Sequence, residues 1–250
     1  MIIRKSPAEL EKMRRAGRIT ARARERVVAA VRPGVTTGAL DRIAEEAIRE
    51  EGAVPSFKGY RGFPASICAS VNQEVVHGIP GSRALRRGDL LSIDVGAIWE
   101  GFHGDSAVTV AVGEPPSDEA EKLIRVTEES LEAAVSQVRP GGRLSDIGHA
   151  IQQVVEGAGF SVVREYVGHG IGRSLHEDPP IPNYGPPGRG PELGPGLVVA
   201  VEPMVVVGEW PTRLLADGWT VVTADGTLSA HFEHTIAVTE DGPEVLTASP

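Results

Sequence analysis

The chain carries one structural programme twice, and that repetition limits its fold more than any single motif. Val31-Arg32-Pro33-Gly34 returns as Val138-Arg139-Pro140-Gly141 at an offset of 107 residues, and Gly52 and Gly159 share that offset. Ser6-Pro7-Ala8-Glu9 is a capping-box pattern with proline in the first turn, so a helix follows it and ends near Arg32-Pro33-Gly34. A second helix is expected from Thr37 to Glu51, with Leu40, Ile43, Ala44, Ala47 and Ile48 on its buried face. Strand patterns follow at Ala65–Val76, Leu90–Ile98 and Ser106–Val112. The second copy runs helix Asp118–Val138, helix Leu144–Glu156, then strands Val162–Val167, Leu197–Val207 and His231–Thr239. Between them, Asp178–Gly196 is rich in proline and glycine and is expected to be a loop without regular structure. One repetition is too few for a solenoid. Two αα-ββ halves, about 6–113 and 118–242, sharing one sheet within a single catalytic domain over 1–250, is the reading that follows.

Four acids occupy matching places in the two copies. Asp94 ends Leu90-Leu91-Ser92-Ile93, and Glu202 follows Val198-Val199-Ala200-Val201. Asp105 opens Ser106-Ala107-Val108, and Glu233 opens His234-Thr235-Ile236. A lone carboxylate among such residues is expensive to hold ionised. Two divalent cations would balance four carboxylates, and paired divalent ions serve the hydrolysis of amides and phosphates. Each acid singly reads equally well as a strand end facing water; the repeat favours one shared dinuclear site.

Seven histidines accompany the acids. His169 lies in Gly168-His169-Gly170-Ile171-Gly172, where small neighbours would let a ring approach a metal. His176 follows in Leu175-His176-Glu177, and His77 in Val75-Val76-His77-Gly78. His103 and His234 flank acids and are expected to support the ligands, as is His231 more weakly; His149 reads as structural. An oxygen-rich site with an imidazole suits Mn²⁺, Fe²⁺ or Co²⁺ and accepts Zn²⁺.

Composition narrows the classes further. Asp plus Glu exceed Lys plus Arg by 34 to 25, a net charge of −9, which disfavours a nucleic-acid binder held by phosphate neutralisation. A single cysteine, Cys68, excludes an internal disulfide framework and a thiolate zinc cluster. No apolar run reaches membrane-spanning length, and the first residues lack a signal-peptide core. A cytoplasmic protein, away from membranes, is expected.

Taken together and in order, these residues resemble the type I methionine aminopeptidases. The likeness rests on Val71-Asn72, Val75-Val76-His77-Gly78-Ile79-Pro80, Ile93-Asp94-Val95, Gly101-Phe102-His103-Gly104-Asp105, Gly168-His169-Gly170-Ile171-Gly172, Leu175-His176-Glu177, Val201-Glu202-Pro203-Met204 and Phe232-Glu233-His234-Thr235. It spans nearly the whole chain. The resemblance implies an α+β pita-bread fold with pseudo-twofold-related halves. It implies Asp94 and Asp105 on one metal, Asp105 and Glu233 bridging two, and His169 with Glu202 on the second. His77 and His176 would contact substrate and the developing tetrahedral centre, and Glu202 would shuttle a proton. Tyr60, Phe63, Cys68, Leu175 and Trp219, with Phe57 nearby, would wall the methionine pocket. The metals would be two divalent ions, Co, Mn, Fe, Zn or Ni, with a monovalent cation, Na⁺ or K⁺, near Asn72 and Ser229. The partner would be the N-terminal methionine of nascent polypeptides before a small second residue, with transient ribosome contact and a monomeric enzyme. Phe57 stands where cysteine is often found, Phe63 where tyrosine, Leu175 where phenylalanine, and His231 where glutamine is frequent.

Two rivals share the fold. A proline-specific peptidase would use similar ligands but usually carries a large N-terminal domain. A type II methionine aminopeptidase would need an insertion between Glu202 and Glu233. A non-catalytic binding protein on this fold would be expected to have broken ligands.

Overall fold

Ser6 opens helix α1 (Pro7–Ala30) with both halves of a capping box: its hydroxyl accepts from the Glu9 N–H, and the Glu9 carboxylate accepts from the Ser6 N–H. Thr36 caps α2 (Thr37–Glu50), and Ser117 caps α3 (Asp118–Val135). Helix α4 (Leu144–Gly157) completes a second pair. The computed structural model describes residues 1–249. After α2 come β1 (Val54–Pro55), a 3₁₀ turn at Tyr60–Gly62, β2 (Ile67–Val71), β3 (Glu74–Val76), β4 (Leu90–Trp99) and β5 (Phe102–Ala111). After α4 come β6 (Ser161–Val162), β7 (Gly168–Gly170), β8 (Glu177–Ile181), β9 (Val198–Val201) and β10 (Met204–Val206). The chain closes with β11 (Thr212–Leu214), β12 (Val221–Thr223), β13 (Ser229–His231), β14 (His234–Thr239) and β15 (Gly242–Val245).

Each helix pair covers its own strands. Ile19, Leu40 and Ile48 pack with Ile67, Leu91 and Ile93 in one core; Leu123, Leu131, Ile147 and Ile151 pack with Val199 and Ile236 in another. A third cluster lies between them and holds Met13, Phe57, Phe63, Cys68 and Leu175. Among the described residues, no helix is long and apolar enough to cross a membrane.

The strands do not form one uninterrupted ladder. Among the described residues they divide into four hydrogen-bonded sheets, ordered β1-β4-β2 with β5 on β4, β13-β10-β6, β11-β12-β3, and β15-β14-β9-β7-β8. Early and late strands meet at two places: β3 pairs with β12, and β5 lies against the segment between β13 and β14. Ala107 and Glu233 exchange backbone bonds of 3.3 and 3.0 Å. On either side of that pair, threonine hydroxyls stand between the strands. Thr109 Oγ1 donates to His231 O and accepts from His231 N–H, while Thr235 Oγ1 does the same with Asp105. Side chains thus replace the direct bonds a continuous sheet would have.

Several strands differ from the apolar runs that suggested them. Ala65–Val76 divides at Asn72, whose φ of +61° reverses the chain; asparagine tolerates that region better than most residues. The Val162–Val167 run shortens to β6, and β7 forms beyond it. Asp178–Gly196, expected to be wholly irregular, contributes most of β8. Pro179 and Pro180 are tolerated there because β8 is an edge strand whose register with β7 shifts between His169 and Gly170, and prolines are confined to edges and bulges.

Helix α1 rests directly on β5 at paired glycines. A Cβ on Gly104 would lie 2.8 Å from the Gly17 nitrogen and 2.9 Å from the Ala16 carbonyl carbon, both backbone atoms. Gly104→Ala is therefore expected to lower stability by about 1–3 kcal/mol. The measurement is a reduced urea midpoint with an unchanged denaturant slope.

Candidate metal centre and its cavity

Strand register brings the first two acids together. Asp94 on β4 faces Ala107 on β5, and Asp105 on β5 faces Gly96 on β4. The two side chains therefore sit diagonally on one face of an antiparallel pair. Gly96 leaves room beside them: a Cβ there would meet Ser56 Cβ at 2.7 Å and Phe57 Cε1 at 2.8 Å. Cys68 on β2 lies across from Asp94 on its other side.

The second two acids sit where long apolar strands break. Val201 pairs with His234 and Met204 with His231, which leaves Glu202-Pro203 opposite Phe232-Glu233 without ladder partners. Proline at 203 has no N–H to donate. The backbone of Glu233 turns instead to Ala107, the residue that faces Asp94. Ala107 thereby ties Glu233 to the Asp94–Asp105 pair.

His169 arrives on β7. Its flanking glycines are needed for strand packing: a Cβ on Gly168 would lie 2.4 Å from Ala200 O, and one on Gly170 2.2 Å from Asp178 O. That close approach of β8 and β9 accounts for the small neighbours of this ring. Nδ1 lies 2.9 Å from Gly170 O. A carbonyl only accepts, so Nδ1 carries the proton and Nε2 keeps a free lone pair. Nε2 is 3.6 Å from Glu202 Oε1.

Ligand atoms of Asp105, His169 and Glu233 all lie within 4.8 Å of one another. Asp94 Oδ1, Asp105 Oδ1 and Glu233 Oε1 are shut away from water with no hydrogen-bond partner. Removal from water is the first cause that raises the pKa of all four acids, and the neighbouring carboxylates raise those of Asp105, Glu202 and Glu233 further. Asp94 is pushed up to about 7. Burial lowers His169 to about 3 and His77 to about 4, so both rings are neutral near pH 7. Neutral imidazole and orphaned carboxylate oxygens are the donor set a divalent cation takes, so the residues fit such ions.

These acids line the floor of a cavity of about 160 Å³. Asp94, Asp105, His169, Glu202, Glu233, His77 and His176 all border it, as do Phe57, Tyr60, Phe63, Cys68, Leu175 and Trp219. The Tyr60 hydroxyl is 2.9 Å from His176 Nδ1, and the two rings stack at 5.4 Å. His176 also lies against His169, with ring centres 4.1 Å apart. His77 presents an edge-on contact to Tyr166 and to Trp219, and Trp219 makes another with Phe63.

Other expected residues lie outside the cavity. His103 Nδ1 pairs with Ser56 Oγ, and His234 Nδ1 with Thr247 Oγ1. His149 pairs with Gly185 O. His231 is buried, with Nε2 3.7 Å from Glu202 Oε2. Asn72 accepts from the Ser229 N–H through its carbonyl, and the Ser229 hydroxyl is buried without a partner. Arg61 at the cavity rim was not foreseen; a surface arginine after Tyr60 carries no pattern that marks it.

The description of metallopeptidase family M24 matches residues 11–240. Methionine aminopeptidase 1 of Bacillus subtilis is 59% identical over 247 residues, covering 99% of each chain. Methionine aminopeptidase 1 of Mycobacterium tuberculosis is 50% identical, over 99% of this chain and 95% of its own. The crystal structure of methionine aminopeptidase from Thermotoga maritima superposes with a TM-score of 0.97 at 49% identity, covering 99% of both chains. A prolidase from Pyrococcus furiosus, 22% identical, gives 0.81 over 99% of this chain and 66% of its own; that likeness concerns the fold.

Proposed function

The chain belongs to metallopeptidase family M24, and from that premise we propose that it is a methionine aminopeptidase that hydrolyses the first peptide bond of polypeptides bearing N-terminal methionine. The observation that carries this reading is the cavity, with an acid and imidazole floor beneath an aromatic and aliphatic wall. A thioether side chain suits such a wall. Phe57, Tyr60, Phe63, Cys68, Leu175 and Trp219 would hold it.

Asp94, Asp105, His169, Glu202 and Glu233 would hold two divalent ions. When bound, such ions polarise a carbonyl and bring the pKa of water towards neutrality. Co, Mn, Fe, Zn and Ni are all compatible with the donors. The protein's own groups do the rest. In the tautomer that would serve the reaction, the Tyr60 hydroxyl, 2.9 Å away, donates to His176 Nδ1 and the Nε2 proton is left for the scissile carbonyl oxygen as charge builds there. His77, neutral and held between two aromatic edges, orients the scissile amide. Glu202, between His169 and His231, would take a proton from the water that attacks the carbonyl and deliver it to the amine as the C–N bond breaks. Full turnover by Glu202→Gln would remove that role from Glu202. A small second residue is the preferred neighbour of the methionine.

A monovalent cation, Na⁺ or K⁺, is assigned to the vicinity of Asn72 and Ser229, supported by the unpartnered Ser229 hydroxyl. Nascent chains in the cytoplasm are the substrates, met in transient contact with the ribosome by a monomeric enzyme in one catalytic domain.

The test is peptide cleavage by chelator-stripped protein with Mn²⁺ or Co²⁺ restored. Metal-dependent release of methionine from Met-Ala-Ser, and none from its N-acetylated form, is expected. Cleavage of Ala-Pro-Ser instead would move the protein to the proline-specific branch. Metal uptake without cleavage of any peptide would leave a binding role.

A further inference from the structure

We propose that the segment before α1 and the start of that helix act as a strap that positions His176, with Lys5 as its key positioning residue. The proposal rests on the role given to His176 above.

Lys5 Nζ meets Glu177 Oε2 at 2.7 Å, and both side chains are almost wholly buried, at 3% and 6% exposure. Buried pairs of this kind are uncommon. This one adjoins His176 directly. The other Glu177 oxygen, Oε1, accepts from the Ser174 N–H at 3.2 Å. Gly172 makes room for the pair: a Cβ there would stand 2.5 Å from Lys5 Cε and 2.6 Å from Glu177 Oε1. Lys5 is itself fixed, its N–H donating to Gly196 O at 2.7 Å. One helical turn on, Glu9 reaches Arg173 at 3.2 Å. The segment 172–177 is thus gripped near both ends by residues 5–9. Its middle carries Leu175 and His176 into the cavity wall.

The physical consequence is directional. His176 is exposed, and its ring has one side-chain hydrogen bond, to Tyr60. Glu177 opens β8 opposite Gly170, and the turn before it, which carries His176, is held by the Ser174–Glu177 bond and by the Lys5–Glu177 and Glu9–Arg173 pairs. Without the Lys5 ammonium, the Glu177 carboxylate is a buried charge with no counterion, a costly state. It would be expected to turn towards water and release the Ser174 N–H, loosening the turn that carries residue 176. A displacement of about 1 Å in a reacting constellation costs up to about 10²-fold in rate.

The experiment uses the full chain loaded with Mn²⁺ and compares wild type, Lys5→Met, and Lys5→Met combined with Glu177→Gln. Lys5→Met is expected to lower kcat on Met-Ala-Ser by about 10- to 100-fold, with KM and Mn²⁺ affinity by calorimetry within about threefold. Hydrogen exchange is expected to quicken at residues 172–178 and not along β4 and β5. The double variant should regain most of kcat, because two neutral groups of similar size leave no uncompensated charge. Wild-type kcat in Lys5→Met, whatever its melting temperature, would overturn the proposal. So would parallel loss of metal binding and protection everywhere, which marks general destabilisation. If Lys5→Met fails to fold, Glu177→Gln alone breaks the same pair: quickened exchange at 172–178 with lowered kcat upholds the strap, and wild-type exchange with wild-type kcat overturns it. If wild type releases no methionine, the function assigned above fails separately. The exchange pattern then decides the strap: local quickening at 172–178 in Lys5→Met upholds it, and unchanged exchange ends it.

Discussion

Asp105→Asn is expected to reduce metal-dependent methionine release by about 10³-fold, since Lewis-acid assistance is worth several kcal/mol and about 1.4 kcal/mol is tenfold in rate. The same change is expected to raise the melting temperature of the metal-free protein. Asp105 is buried, and its pKa is raised by burial first and then by Glu233 and Asp94. Asparagine keeps the shape and removes one of the repelling charges. It preserves the backbone bonds of residue 105 to Thr235, which involve no carboxylate. Activity with saturating Mn²⁺ and melting in chelator at pH 8 check the two halves separately. A lower melting temperature in chelator would mean that the Asp105 carboxyl is held by bonding to Asp94 more strongly than it is repelled.

Metal removal is expected to produce the largest change in stability, and that change grows with pH. The acids of the floor have folded pKa values raised above their ordinary range, Asp94 to about 7. Between the unfolded and folded values the native state holds protons that the unfolded chain has released. Stability of the metal-free protein is therefore present at low pH and lost as pH rises through the folded values. The buried histidines act in the opposite sense. Their folded values are lowered to about 3 or 4, so they cost stability only as pH falls below about 6.5. The histidine effect fades over about one unit above 6.5, so beyond about pH 7.5 the carboxyls dominate the slope, and metal-free melting should fall from pH 7.5 to 8.5. A cation at about 1,000 times its Kd adds about 4 kcal/mol. For a chain of this size that is about 8–16 °C. The gain from Mn²⁺ over chelator should widen with pH, because protons compete for the same oxygens. A gain that is flat or narrows would show that the acids are ionised without metal.

The site was more legible than the strands that build it. Acids in apolar runs are conspicuous because burial without compensation is costly, and their matched order after the two Val-Arg-Pro-Gly segments marks them twice. Helices α1 to α4 were legible from caps and 3.6-residue periodicity. The strands holding Glu202 and Glu233 were not. Apolar runs do not record where a ladder stops, and both stop at the acid itself. Pro203 signals one break; nothing local signals the other, because Glu233 turns away for the sake of Ala107, 126 positions earlier. Edge strand β8 was hidden by its prolines, since position in a sheet is a property of the whole fold. Lys5–Glu177 and Tyr60–His176 join residues 172 and 116 positions apart. Each residue alone looks like ordinary surface.

The seam at Ala107 and Glu233 also governs when a cation can be captured. The β4–β5 hairpin alone offers two carboxylates in water, a weak chelate open to any competing ion. Glu233, His169 and Glu202 arrive only when the two copies of the repeat close on each other. Closure over such long stretches of chain is slow compared with forming a helix or hairpin. Cation capture is thus a late and nearly all-or-none event during maturation. A chain in which this seam has not formed would carry every acid and imidazole of the candidate centre without bringing Glu233, His169 and Glu202 to the hairpin.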